Sequence, residues 1–375
     1  MRPISYHDVE ITGGFWQNMQ RRNREATMPA VLARFEETGR MVAFRCEKTW
    51  PEGKKPHFYW DSDVAKWLEA AAYILQKQPN PVLEQAAEKI ISLIEQNQGA
   101  DGYFNIYFTT VEPEMRWRNR DWHELYCAGH LIEAAVAYYE ATGRDRFLNC
   151  MRKYASYIER VFMIERSAAF ATPGHEEIEL AIVRLWRCTG EKRWLRLSEF
   201  FVNQRSNNPK DKPVCGEPRY AQDHLPAREQ VTAEGHAVRA MYLYCAMADL
   251  AEDLRDEGLL NACRALFENI TQKRMYVTGG VGSTHRGEAF TIDYDLPNET
   301  AYAETCAAVG LALFCRRMSA IEPDSRYADA AERLIYESTD KPPVSKANPG
   351  FVGYYSGVTH RHLAFAASRS KRKMW

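Results

Sequence analysis

Histidines and carboxylates recur in short polar segments that lie just before or at the start of apolar helical patterns. Such groups can transfer protons and bind hydroxyls, and the aromatic residues beside them can stack on the face of a sugar ring. The pattern therefore favours a site for a small carbohydrate. The segments are Trp60-Asp61-Ser62-Asp63, Asp121-Trp122-His123-Glu124, Pro173-Gly174-His175-Glu176, Ala233-Glu234-Gly235-His236 and Ser283-Thr284-His285-Arg286-Gly287-Glu288.

Each of these residues also has a purely structural explanation. Asp61 and Ser62 are good helix N-caps, and a histidine on an apolar helix face is often a hydrogen-bonded core residue. The same residue types nevertheless return at the same point of successive helical segments. This recurrence favours function for the set as a whole.

Glu304-Thr305-Cys306 has the residue types of a metal site. A carboxylate and a thiolate two residues apart can both face a zinc ion if the backbone there is extended or just entering a helix. In mid-helix the two side chains would diverge. A capping glutamate followed by a buried cysteine is the alternative, and the pattern alone leaves both open.

Composition and charge limit the class of protein. The 375 residues contain 49 Lys and Arg against 50 Asp and Glu, a formal net charge of -1. No global field favours nucleic acid or an anionic membrane, so neither is expected as a partner. No apolar run is long enough to span a bilayer, and the nine scattered cysteines do not indicate a disulfide framework. These features predict a cytoplasmic protein.

Apolar residues at helical spacing predict an all-α fold. The pattern of an Ala-rich helix, a short turn and a second helix appears five times, and a Thr-Gly pair separates the helices in two of the copies. Helix pairs repeated about every 50 residues suggest an (α/α)6 toroid. The sixth pair should follow Tyr336, where the helical pattern stops. We therefore predict one helical domain over residues 1–336 that is incomplete in its last helix pair.

Residues 337–375 have a different composition. They contain seven Lys or Arg against two acidic residues, together with several Pro and Gly. We predict a poorly ordered basic tail. A nuclear-localisation or nucleic-acid role is the sharper alternative, but the basic run is short.

The chain resembles glycoside hydrolase family 127, the β-L-arabinofuranosidases, over roughly residues 5–336. The last of the matching segments is the most specific, because it joins several unusual motifs in one order. The segments are FYWDSDVAKWLEAAAY, QGADGYF, WHELYCAGHLIEAAVAYYEATG, PGHEEIELAIVRLW, QVTAEGHAVRAMYLY and RMYVTGGVGSTHRGEAFTIDYDLPNETAYAETCAA.

The resemblance implies an (α/α)6 barrel followed by β-sandwich domains, and retaining hydrolysis of an arabinofuranoside with a zinc-bound cysteine as the nucleophile. It implies Glu288 as general acid/base, with a pKa held near neutrality for proton donation. It also implies Glu304 and Cys306 as two of four zinc ligands. The sugar-binding residues are expected to be His123, His175, His236 and Asp63, which should converge with Glu288 in one cavity.

The chain departs from the family pattern at its C-terminal end. The other two zinc ligands, including the nucleophile, belong to a downstream Cys-Cys pair, whereas this sequence has no cysteine after Cys315. Truncation or a frameshift is the simplest explanation. We expect an incomplete zinc site, feeble activity, and oligomerisation through uncovered helix faces.

Two other functions remain open. The first is a non-catalytic carbohydrate-binding remnant, which the missing cysteines favour. The second is a metal-free α/α-barrel sugar epimerase or uronide hydrolase, against which the Glu-x-Cys motif argues.

Overall fold

The structure, a computed structural model, describes residues 4–340, with side chains through residue 336. These residues divide into two compact units, residues 4–168 and 169–340, here called the N-terminal and C-terminal units. The predicted tail of residues 337–375 lies outside the described residues apart from the backbone of residues 337–340. The single domain over residues 1–336 stays a prediction.

The N-terminal unit contains two long helix pairs and a set of shorter helices. Both pairs fall where the apolar repeats predict them. The helices are α1 (Gly14–Arg22), α2 (Met28–Thr38), α3 (Arg40–Ala43), α4 (Trp60–Lys77), α5 (Pro81–Asn97), α6 (Ile106–Thr110), α7 (Glu124–Thr142) and α8 (Arg146–Ile158).

The C-terminal unit contains three further pairs, so all five predicted pairs are confirmed. The helices are α9 (Ile178–Thr189), α10 (Lys192–Gln204), α11 (Ala237–Leu254), α12 (Glu257–Asn269), α13 (Thr305–Ile321) and α14 (Ser325–Asp340). Over residues 4–340 the β-pairing is limited to isolated bridges. The all-α prediction is confirmed.

The two helices of a pair differ in how much of their surface is buried. Residues 60–74 of α4 and 237–251 of α11 are buried on every face, whereas the second helices α5 and α12 bury one face only. A fully buried helix needs small residues, because its neighbours approach closely, and this explains the alanine-rich sequences. The polar residues at the starts of the buried helices are thereby fixed in place.

In two of the pairs the first helix ends at the glycine that the sequence predicts. Gly143 after α7 and Gly190 after α9 have φ of 71° and 74°, the left-handed conformation that closes a helix at low cost. Helices α1, α2 and α3 were not predicted. Their signal was present, since Val31 and Phe35 of α2 are spaced by four and both are buried.

No helix among the described residues is long and apolar enough to cross a membrane.

Candidate functional site

Glu288 lies in the long connection between α12 and α13 of the C-terminal unit. Its Oε2 is 2.9 Å from Nε2 of His236, and its Oε1 accepts a hydrogen bond of 2.9 Å from the Tyr302 hydroxyl. The connection is held against the start of α11, because Phe290 N donates to Gly235 O at 2.9 Å. The side chain of Glu288 is 41% exposed, so a ligand can reach it.

The position of the proton between Glu288 and His236 follows from their other partners. Nδ1 of His236 accepts from the backbone N–H of Arg239 at 3.4 Å, which makes the imidazole the N-cap of α11. The hydrogen of a neutral ring is then on Nε2, which donates to Glu288. Burial, the largest effect, lowers the pKa of His236, so the neutral ring is favoured.

The expectation of a near-neutral pKa for Glu288 is wrong for the protein without substrate. The hydrogen bond from His236 lowers the pKa of Glu288 and outweighs the burial that would raise it; Tyr302 and Arg239 add to the lowering. Two donors on one carboxylate favour its charged form. Glu288 is therefore ionised at neutral pH in the protein without substrate.

His175 lies beside His236, as the sequence predicts. It precedes α9 in the Pro-Gly-His-Glu-Glu segment, and the two imidazole centroids are 5.7 Å apart. The Nδ1 atom of His175 lies 3.0 Å from Glu176 O, to which it donates. Both histidines are over 90% buried. The C-terminal unit thus brings together three of the predicted residues, His175, His236 and Glu288.

The other two predicted sugar-binding residues lie in the N-terminal unit. His123 is the residue before α7, with φ of 56°, and its ring packs 5.5 Å from Phe58 and 5.4 Å from Tyr126. Asp63 is buried in the first turn of α4, and its Oδ2 accepts from Nε of Arg40 at 2.7 Å. Asp63 is thus already paired with a cation. Convergence of all five residues in one cavity stays a prediction.

Two other buried carboxyls were not assigned a functional role from the sequence. Asp61 does not cap its own helix by its side chain; Oδ1 accepts from Ile106 N at 2.9 Å, which anchors α6. Glu124 accepts from the Tyr103 hydroxyl at 2.6 Å and from Trp117 N at 2.7 Å. Burial raises the pKa of Asp61 to about 7 and that of Glu124 to about 8. Through these hydrogen bonds both carboxyl groups hold neighbouring segments of the N-terminal unit.

Several partners of the predicted residues were also missed. Tyr302, Arg239 and Arg40 each contact or face a predicted residue across many positions of sequence. A single tyrosine or arginine has no spacing signal of its own. Tyr302 and Arg239 each lie in a motif quoted above, which pointed to their regions, whereas Arg40 lies in none of them.

Glu304 and Cys306 lie at the start of α13, where the backbone passes from an extended conformation into the helix. This is the backbone conformation in which both side chains are expected to be able to face one metal ion. Glu304 is the N-cap, with φ of -63° and ψ of 135°, and Cys306 is in the first helical turn. Burial chiefly, then the negative charge of Glu304, raises the pKa of Tyr302, and Cys306 adds to the shift. Among residues 4–336, no group of three or more His, Cys, Asp or Glu side chains is arranged to hold a metal.

Comparison with known proteins identifies the family. Residues 8–361 match the GH127 catalytic domain of the β-L-arabinofuranosidases. This match runs beyond residue 336, the boundary that the sequence analysis set.

One curated relative is the non-reducing end β-L-arabinofuranosidase of Bifidobacterium longum. It is 40% identical over 301 residues, which are 75% of this chain and 46% of the relative. The chain thus spans about half the length of this relative.

Solved structures agree with that match. A GH127 β-L-arabinofuranosidase from Geobacillus stearothermophilus T6 superposes with a TM-score of 0.85 at 39% identity, covering 94% of this chain and 65% of the other. Cellobiose 2-epimerase from Spirochaeta thermophila superposes with a TM-score of 0.56 at 13% identity, covering 83% and 86%. The second likeness concerns the fold alone and agrees with the predicted α/α class. The chain belongs to glycoside hydrolase family 127.

Proposed function

We propose that the chain carries the sugar-binding and proton-transfer part of a β-L-arabinofuranosidase. One observation carries this proposal: the partly exposed Glu288 carboxylate, held between the His236 imidazole and the Tyr302 hydroxyl. A carboxyl group within reach of solvent and fixed by two donors can exchange a proton with a bound glycoside. The relatives named above are β-L-arabinofuranosidases, and this supports the substrate class.

In this proposal Glu288 acts first as an acid and then as a base. Without substrate it is ionised, which is the base form that removes a proton from water. A sugar bound over Glu288 would exclude water from the carboxylate, and desolvation raises the pKa of a carboxyl group. Substrate binding would thereby favour the protonated form, which donates to the leaving oxygen.

We assign sugar hydroxyls to His175 and His236 within the C-terminal unit, whereas sugar binding by His123 of the N-terminal unit is what the family resemblance implies. Neutral imidazoles offer one donor and one acceptor each, which suits hydroxyl groups. The aromatic rings of Phe58 and Tyr126 beside His123 could cover a sugar face. Asp63 would contribute as a buried carboxylate held by Arg40.

We propose only two of the four ligands of a zinc site. A tetrahedral zinc site takes four ligands, and residues 4–336 offer Glu304 and Cys306 without a third in place. The described residues therefore do not fit a complete zinc site by themselves. The cysteine nucleophile and the retaining course that the resemblance implies would need ligands beyond this set. We expect residues 1–375 to hydrolyse arabinofuranosides feebly.

The decisive experiment measures hydrolysis of an aryl β-L-arabinofuranoside and calorimetric binding of L-arabinose, with and without added zinc. We expect arabinose binding, and slow turnover that Glu288→Gln abolishes. The matched control is Glu252→Gln, on α11, where the carboxylate pairs with Arg187 on the protein surface. Arabinose binding without any turnover would favour the alternative of a non-catalytic carbohydrate-binding remnant. The incomplete set of zinc ligands is the observation that favours this alternative. Absence of both would refute the proposal.

A further inference from the structure

Arg205 follows α10 in the C-terminal unit and is completely buried. Burying a guanidinium destabilises the fold unless its charge is paired and its N–H groups are hydrogen-bonded. Nη1 donates to Ala221 O at 2.8 Å, and Nη2 donates to Pro173 O at 3.1 Å. These two carbonyls belong to separate segments of the chain, so one side chain joins both.

Three carboxyl groups also lie beside this guanidinium, whereas its buried Nε has no hydrogen-bond partner among the described residues. Glu176 and Glu179 lie 2.9 Å and 3.1 Å from its nitrogens, and Asp223 lies 3.3 Å away. Burial, the largest effect, raises the pKa of Glu176 to about 8, against the attraction of Arg205.

The first segment that Arg205 binds carries His175. Pro173, Glu176 and Glu179 flank this histidine on both sides, and all three contact the guanidinium. Gly174 O is bound separately by the guanidinium of Arg239. The loop is therefore fixed by side chains, since it precedes α9 and has no helical hydrogen bonds of its own.

The second segment is bonded to His236. Gln222, between Ala221 and Asp223, donates from Nε2 to Glu234 O at 2.8 Å, and His236 N donates to Tyr220 O at 3.1 Å. A displacement of residues 220–223 would therefore move the backbone that carries His236. That imidazole is the one bonded to Glu288.

We infer that Arg205 is a positioning residue: its guanidinium ties the loop of His175 to the segment bonded to His236 and so sets the separation of the two imidazoles. Neither the motif match nor the proposed chemistry assigns it this role. The consequence for sugar binding rests on the proposed function, whereas the geometric consequence does not. A small displacement of binding groups can lower their effectiveness by orders of magnitude.

The test uses Arg205→Lys, which retains a positive charge but loses the planar fork that reaches several partners. The matched control is Arg317→Lys, an arginine near the end of α13 whose side chain is 11% exposed and whose Nε lies 2.7 Å from Oδ2 of Asp249 on α11. The readout is the nitrogen-15 chemical shifts of the His175 and His236 rings, assigned with His175→Asn and His236→Asn. These shifts report which ring nitrogen carries the hydrogen.

In the wild type we expect hydrogen on Nδ1 of His175 and on Nε2 of His236. In Arg205→Lys the minor tautomer of both rings should rise about tenfold, and L-arabinose affinity should fall about tenfold, as for the loss of a charged hydrogen bond. Arg317→Lys should change neither. Unchanged spectra of both rings in Arg205→Lys would overturn the inference. Altered spectra with wild-type arabinose affinity would confirm the geometric role of Arg205 and refute its consequence for sugar binding.

If Arg205→Lys does not fold, Asp223→Asn provides the second variant. It removes one ionic contact of 3.3 Å while Arg205 still binds Pro173 O. The spectrum of His236 should then change while that of His175 stays as in the wild type, and the reverse result would contradict the inference. If wild-type protein binds no arabinose, the proposed function fails, yet the ring spectra still decide the role of Arg205.

Discussion

The Nε2 atom of His236 lies 2.9 Å from Oε2 of Glu288, and this hydrogen bond is the largest cause of the lowered pKa of the carboxyl group. His236 can donate because its Nδ1 is occupied as the N-cap acceptor of α11. The helix start, the tautomer of the histidine and the ionisation of the candidate acid/base are therefore one linked arrangement.

The first prediction concerns the pKa of Glu288. His236→Ala should raise it, because the largest cause of its lowering is removed, and Tyr302→Phe should raise it less. A carbon-13 NMR titration of the Glu288 carboxyl carbon measures both. A larger effect of Tyr302→Phe, or no effect of either, would contradict the assignment of the hydrogen bond.

The sign of the accompanying stability change follows from linkage. A carboxyl whose folded pKa is lowered contributes stability above its ordinary pKa of 4.5 and loses it as pH falls through the folded value. Glu288→Gln should therefore weaken the pH dependence of the free energy of unfolding below pH 4.5. The change should be small, since the side chain is 41% exposed and water screens it.

The second prediction concerns Glu124, for which the sign is opposite. Burial raises its pKa to about 8, so its contribution is present below its ordinary pKa of 4.5 and is lost as pH rises through 8. The melting temperature of the wild type should fall between pH 5 and pH 8, and Glu124→Gln should reduce this slope. Thermal unfolding across this range, followed by circular dichroism, measures both slopes.

Glu88 provides a matched control for Glu124. Each accepts a hydrogen bond of 2.6 Å from a tyrosine, Tyr138 for Glu88 and Tyr103 for Glu124. Glu88 is less buried; the burial that would raise its pKa is outweighed by hydrogen bonds from Tyr138 and Arg144. Glu88→Gln should therefore leave the slope between pH 5 and pH 8 unchanged. If Glu124→Gln and Glu88→Gln gave equal slopes of melting temperature against pH, burial would not be the cause of the raised pKa of Glu124.

The third prediction is that Gly235→Ala destabilises the fold more than Gly143→Ala. Both glycines have φ near 70°, where a Cβ costs about 1 kcal/mol. An added Cβ at Gly235 would lie 1.8 Å from Arg219 O, whereas at Gly143 nothing lies within 4 Å. The backbone must shift at Gly235, so we expect a loss of about 3 kcal/mol or more in urea unfolding. Similar losses would show that the close approach is unimportant.

The fourth prediction concerns zinc. Residues 1–375 should bind it far more weakly than a four-ligand site, because two donors leave the remaining positions to water. Cys306→Ala should weaken the residual binding, while Cys188→Ala, a cysteine of similar partial exposure, should not. Competition with a chromophoric chelator measures the affinity. Tight stoichiometric zinc in the Cys306→Ala protein would exclude the assignment of this residue.

The sequence determined the helices and their ends. Apolar residues at a spacing of three and four define buried helix faces, and Gly143 and Gly190 end helices α7 and α9 through their own left-handed backbone. These are local properties, so five helix pairs were predictable without coordinates. The short helices of residues 14–43 were missed because no repeat marked them.

The sequence also indicated where the polar residues of the site would lie. His123, His236 and Glu304 are N-caps of buried helices, and the motifs that contain them are contiguous stretches of chain. A motif specifies which residue types occur together. It does not specify what each side chain faces.

The hydrogen-bond partners and the pKa shifts of the candidate site residues depend on the folded arrangement of distant segments. Asp63 pairs with Arg40, 23 positions away, and the pKa of Glu288 is lowered because His236, 52 positions earlier, donates to it. Burial and distant donors shift a pKa, and neither is encoded in the spacing of neighbouring residues. The sequence therefore named Glu288 as the candidate proton donor, whereas the packing around it decided that the carboxylate is charged before a sugar arrives.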